Sequence, residues 1–169
     1  MSLGILLLRV VVGGTLAAHG AQKLFGWFGG AGLDGTGRGF EALGFHPGKK
    51  HARNAGLAEV AGGLLLIVGL FTPLAAALIL SVMFVAAATV HFRNGFFATT
   101  GGFEYNLVLA VAGLTAAFTG PGAISLDYLL GSDLSGVWAG LAAVAVGIIG
   151  GASQLAQRRA QPASQAVAA

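Results

Sequence analysis

His19 and Lys23 stand four residues apart, one helical turn, at the end of an apolar run that begins at Leu3. Glu59 lies inside a second apolar stretch. His91 and Arg93 close a third, and Glu104, Tyr105 and Asn106 open a fourth. Imidazoles and carboxylates exchange protons, and a lysine holds negative charge in place. In lipid such groups are costly unless they pair or serve a site.

The elements that position them must be membrane helices. The chain has 169 residues, of which 56% are hydrophobic and 9% charged, against about 25% charged in a soluble domain. Its mean hydropathy is +0.82. The 29 glycines suit helices that pack backbone to backbone. No cysteine is present, which excludes disulfides, thiolate catalysis and cysteine-ligated clusters within this chain.

A spanning helix needs about 20 apolar residues. The expected spans are 3–22, 55–71, 74–92, 103–119 and a shorter, Ala/Gly-rich 137–151. Thr72-Pro73 separates the second from the third, because proline fits the first turn of a helix. Residues 1–153 then make one transmembrane domain, and 154–169 a disordered tail. A signal peptide is not expected: there is no basic leader, and Arg9 splits the first apolar run.

Lys and Arg set the topology. Lys23, Arg38, Lys49, Lys50 and Arg53 fall in the first connection, Arg93 in the third, and Arg158 and Arg159 in the tail. With five spans, all of these share one side. Asp127 and Asp133 lie on the other. The positive-inside rule places the N-terminus outside and the C-terminus in the cytoplasm of a bacterial plasma membrane. Alternation also gathers His19, Lys23, Glu59, His91, Glu104 and Asn106 at the cytoplasmic mouth of the bundle.

On a helical wheel, Arg9, Val12, Gly13, Leu16, His19, Gly20 and Lys23 share an arc of about 120°. This face should look into the bundle. Arg9 lies too far from the mouth to join the cluster, and an Arg9–Asp127 ion pair with a structural role is expected at the outer end. In the first connection a short interfacial helix is expected after Asp34, with Phe40 and Leu43 dipping into lipid. "GTGRG" follows no strand, so a phosphate loop is not expected. The basic residues are accounted for by topology, which leaves nucleic acid out.

"LRVVVGGTLAAHGAQKLFG", "LAEVAGGLLLIVGLFTP", "HFRNGFF", "GGFEYNLVL" and "TGPGAISLD" follow one another in this order. Together they resemble the DoxX family of small bacterial membrane proteins, over residues 3 to about 130. The resemblance implies an all-α, polytopic membrane four-helix bundle, here with an appended short fifth transmembrane helix. It also implies a link to redox chemistry. The family is named from a relative associated with thiosulfate:quinone oxidoreduction, and mycobacterial relatives are linked to a membrane oxidoreductase complex handling oxidative and thiol stress.

The expected function is a quinone-associated subunit of a membrane oxidoreductase, needing a soluble or membrane-bound oxidoreductase partner for its electrons. His19, Glu59 and Glu104 would exchange protons; His19, Lys23, His91 and Asn106 would hold the quinone. The histidines lack the motif context of a haem or metal site, so neither group is expected. The competing expectations are a non-catalytic anchor or assembly factor for a soluble partner, and a small-solute carrier. An oligomer in the bilayer is compatible with each.

Overall fold

The computed structural model describes residues 2–132 and 134–159. Asp133 and residues 160–169, most of the expected tail, lie outside the described residues. Among the described residues, seven α-helices follow one another: α1 Ser2–Phe25, α2 Gly32–Ala42, α3 Gly48–Val68, α4 Thr72–Ala86, α5 Glu104–Thr119, the single turn α6 Leu126–Leu129, and α7 Val137–Ala156. No strand occurs among them. The protein is an all-α, multi-pass membrane bundle.

α1 and α3 form the closest pair. A Cβ on Gly13 would lie 2.5 Å from the Gly63 carbonyl oxygen, and one on Gly20 would lie 2.6 Å from that of Gly56. The partners step seven residues up one helix and seven down the other, so the helices run antiparallel in register over two turns. Only glycine allows this approach. Val12, Leu16, Leu66, Ala75, Ile79 and Ala116 fill the core beside it. Arg9, Val12, Gly13, Leu16 and Gly20 are buried on α1, as the wheel requires.

α4 does not stop at Ala86. It continues through one π turn, Ala87–His91, and one 3-10 turn, Phe92–Asn94, giving 23 residues from Thr72 to Asn94. α7 lies along α4 in the same direction. Its Gly147 abuts Leu80 and the Ala77 backbone, and its Gly151 abuts Phe84 and the Ser81 backbone. α1, α4 and α7 are long and apolar enough to cross a membrane, whereas the apolar α5 has only 16 residues. The short helix is thus α5 and not the appended one, because α7 stays helical beyond Gly151 through Ala156.

The end of α7 returns to the first connection. The Arg159 N–H donates to the Gly44 carbonyl at 2.9 Å, and Arg158 Nε donates to that of Leu43 at 2.6 Å. The basic connection and the basic tail therefore share one end of the bundle, called here the basic end.

α2 includes Asp34 in its first turn rather than starting after it. It lies on the start of α3, where Lys49 bonds Asp34 at 2.5 Å. That lysine holds the exposed Asp34 carboxyl below the ordinary carboxylate range. Phe40 packs on Phe45, which is fully buried and packs on His51. Phe40 and Leu43 are half-buried and line a cavity on the bundle side of α2.

At the opposite end, the Arg9–Asp127 ion pair expected from the sequence does not form. Arg9 is buried and gives its donors to backbone: Nε to Leu66 O at 2.9 Å, Nη2 to Ile67 O at 2.7 Å, and Nη1 to Ile124 O at 2.9 Å and to Pro121 O. Asp127 accepts from Phe71 N, Thr72 N and Thr72 Oγ1 at 2.8–3.0 Å. Each charge finds the helix end it suits. The guanidinium meets the open carbonyls at the end of α3, and the carboxylate the open amides at the start of α4.

Candidate functional site

Lys23 sits in the last turn of α1 and Glu59 about half-way along α3. In the α1–α3 register, Glu59 lies about six residues, or about 9 Å, deeper than Lys23. They meet because a helical side chain leans toward its own N-terminus. Antiparallel packing turns this lean into convergence: Lys23 reaches down and Glu59 reaches up. Lys23 Nζ lies 2.6 and 2.8 Å from the two Glu59 oxygens. Glu59 is 3% exposed and Lys23 25%. The pair is desolvated on the acid side, so removing one partner would strand a buried charge at about 3–5 kcal/mol.

Lys23 and Glu59 form part of the wall of a cavity of about 380 Å³. α3 contributes His51, Asn54, Ala55 and Ala58 besides Glu59; α2 and its end contribute Phe40 and Leu43. Ser81, Val82, Val85 and Ala86 come from α4, Thr89, Val90 and His91 from its π turn, and Gly150 and Gln154 from α7. The walls are chiefly small and apolar, with a few polar groups, which is the pattern of a small-molecule site. π turns inside helices are frequent at such sites. Here the Thr89 hydroxyl bonds back to Val85 O at 2.8 Å, and the turn carries His91 to the cavity.

Three sequence-predicted residues therefore meet at one cavity: Lys23, Glu59 and His91. His91 Nδ1 donates to the Gly101 carbonyl at 2.7 Å, which leaves Nε2 as its acceptor. The other three do not line it. His19 stands beside the pair, near enough to interact electrostatically with Glu59, but both its nitrogens are engaged, Nδ1 with Gln22 Oε1 at 3.1 Å and Nε2 with the Tyr105 hydroxyl at 3.3 Å. Glu104 accepts from Ala98 N at 2.8 Å and so holds the loop before α5. Asn106 is buried against Met83, with Nδ2 3.6 Å from the sulfur and Oδ1 without a partner among the described residues. A single converging cluster of all five charged groups is thus replaced by one cavity and two side arrangements. Glu104 turns to its own loop, and His19, on the Lys23 face of α1, is held by Gln22 and Tyr105.

His51 and Gln154 were not expected at the site. Gln154 Nε2 contacts His51 Nδ1, joining α7 to α3, and the His51 ring is 3% exposed. The missed signal lies in spacing. His51, Ala55 and Glu59 recur at i, i+4 and i+8, one face of a helix. The face is visible once α3 is begun at Gly48 rather than at 55. Among the described residues, no three His, Asp or Glu side chains converge as metal ligands.

Comparison with curated proteins and with solved structures gives no match. The family model for DoxX matches residues 4–92, a segment that carries Lys23, His51, Glu59 and His91 but not α5 or α7. The chain belongs to the DoxX family.

Proposed function

We propose that the protein is a quinone-binding subunit of a membrane oxidoreductase, with the cavity beside Lys23 and Glu59 as the quinone site. One observation carries this reading: a lysine–carboxylate pair with its acid buried, in the wall of a chiefly apolar cavity. A flat ring carrying carbonyls needs apolar walls for its body and a donor for its oxygen. Both are present. Bound there, a quinone would supply a two-electron, two-proton acceptor. Lys23 would donate a hydrogen bond to the ring oxygen, and the Glu59 carboxylate would accept and pass on a proton beside it. The electrons come from a redox centre on a partner subunit, since the chain has no cysteine and no cofactor motif. Glu104, engaged in its own loop, drops out of the proton-carrying set, and His19, beside Glu59 but outside the cavity, keeps both nitrogens on Gln22 and Tyr105. His91 remains as an acceptor at the rim.

In this reading the chain sits in a bacterial plasma membrane with its basic end in the cytoplasm, as the positive-inside rule requires. Lys49, Lys50, Arg53 and Arg93 are exposed there. That basic rim favours a second reading, a docking platform for a soluble partner.

The test is retention and rebinding of quinone. Protein purified into nanodiscs is extracted with solvent, analysed by mass spectrometry, and titrated with a para-naphthoquinone. Binding that weakens by about tenfold or more in Glu59→Gln and Lys23→Met supports the site. Absence of quinone in the extract, together with no saturable binding, overturns it and leaves the docking platform.

A further inference from the structure

The cavity has a second polar pole besides Lys23 and Glu59. His51 is buried, and its ring lines the cavity. The nitrogen that Gln154 offers is an amide N–H₂, which only donates. His51 Nδ1 therefore accepts, and the ring proton belongs on Nε2. No partner of Nε2 occurs among the described residues. His91 differs, because its proton is given to Gly101 and its free nitrogen accepts. His19 has no free nitrogen. Of these three histidines, His51 alone is set up by its neighbours to donate into the cavity.

The first pole also keeps a donor. Lys23 carries three N–H groups, and two are drawn to the Glu59 oxygens. The poles are spaced by α3 itself. His51 and Glu59 are eight residues apart, about 12 Å along the axis, and both lean toward the helix N-terminus, so their tips keep that separation. Lys23 Nζ, within 2.8 Å of the Glu59 oxygens, is the donor at one pole and His51 the donor at the other, so a ring lying between them meets a donor at each end. Ala55 and Ala58 of α3, with Val82, Val85 and Ala86 of α4, supply apolar wall for the body of the ring.

We infer that His51, held in its Nε2–H tautomer by Gln154 of α7, is the second anchor of the site and makes it selective for rings with two opposed carbonyls over rings with one. This rests on the quinone reading and gives the appended helix a role. Through Gln154, α7 sets the specificity of a cavity whose other poles lie in the family-matched segment.

The experiment compares two ligands on the full-length protein in nanodiscs, by equilibrium dialysis: a para-naphthoquinone and α-tetralone, which keeps one carbonyl. The wild type should prefer the dicarbonyl by about tenfold. His51→Leu should bring that preference to within about twofold, the dicarbonyl losing more affinity than tetralone. His51→Gln, which restores a donor, should keep most of it. Gln154→Leu leaves the His51 ring in place and provides a second measurement should His51→Leu fail to fold. It should lower the preference and move the ring ¹⁵N resonances from the single-tautomer pattern toward a mixed one. A preference untouched by His51→Leu or Gln154→Leu, or an equal loss for both ligands, overturns the second anchor while the quinone reading stands. No saturable binding of either ligand to the wild type overturns both.

Discussion

Arg9 and Asp127 hold the two sides of one turn without touching each other. Arg9 binds the carbonyls of Leu66 and Ile67 where α3 ends, and Asp127 binds the amides of Phe71 and Thr72 where α4 begins. Gly69, between them, leaves no room to spare: a Cβ there would lie 2.8 Å from the Arg9 guanidinium carbon.

Arg9→Leu removes every donor from that network and strands buried carbonyls, so it should cost about 3 kcal/mol or more of stability. Arg9→Lys should recover only part, since an ammonium cannot reproduce the planar fork that serves two chain segments at once. Thermal unfolding in detergent, followed by circular dichroism, reads both. Equal stability of Arg9→Leu and wild type would mean that the α3–α4 turn is not held this way.

The Lys23–Glu59 pair should behave asymmetrically under mutation. Lys23→Met leaves a buried carboxylate alone and should lower stability by about 3–5 kcal/mol. The double variant Lys23→Met/Glu59→Met removes both charges and should return close to wild-type stability. Quinone binding should stay lost in the double variant. Recovery of binding along with stability would reduce the pair to a structural link.

Gly20 and Gly14 are close in sequence and opposite in surroundings. A Cβ on Gly20 meets the Gly56 oxygen at 2.6 Å, while one on Gly14 meets nothing within 4 Å. Gly20→Ala should therefore push α1 from α3 and destabilise by about 1–3 kcal/mol. Gly14→Ala should be neutral or stabilising by up to about 1 kcal/mol, from helix propensity alone. Denaturation midpoints of the two variants, measured side by side, check the register; the reverse order would refute it.

The absence of cysteine makes topology directly measurable. Lys50→Cys and Arg158→Cys should react with a membrane-impermeant maleimide from one side of the membrane, and Leu130→Cys from the other. In intact cells, with the basic end cytoplasmic, only Leu130→Cys should label. Labelling of Arg158→Cys together with Leu130→Cys would mean that α7 does not cross.

Composition alone determines that this chain lives in lipid, because so few charged residues cannot cover a water-facing surface. The inward face of α1, from Arg9 to Lys23, is legible from the 3.6-residue period, since a charge cannot comfortably face hydrocarbon. Which charges meet is a different matter. It depends on the rotation of each helix and on the lean of its side chains, and neither is encoded within a single segment. Local bonds hold His19 to Gln22 and Tyr105 and Glu104 to its own loop, while antiparallel lean brings Lys23 to Glu59 across about 9 Å of depth. The early start of α3 puts His51 on the Glu59 face, and α7, parallel to α4, delivers Gln154 to it. At the other end, Arg9 and Asp127 have opposite charge and similar depth, which favours pairing in a sequence. The structure instead gives each to a helix terminus, because buried carbonyls and amides left without partners would cost more than an ion pair returns.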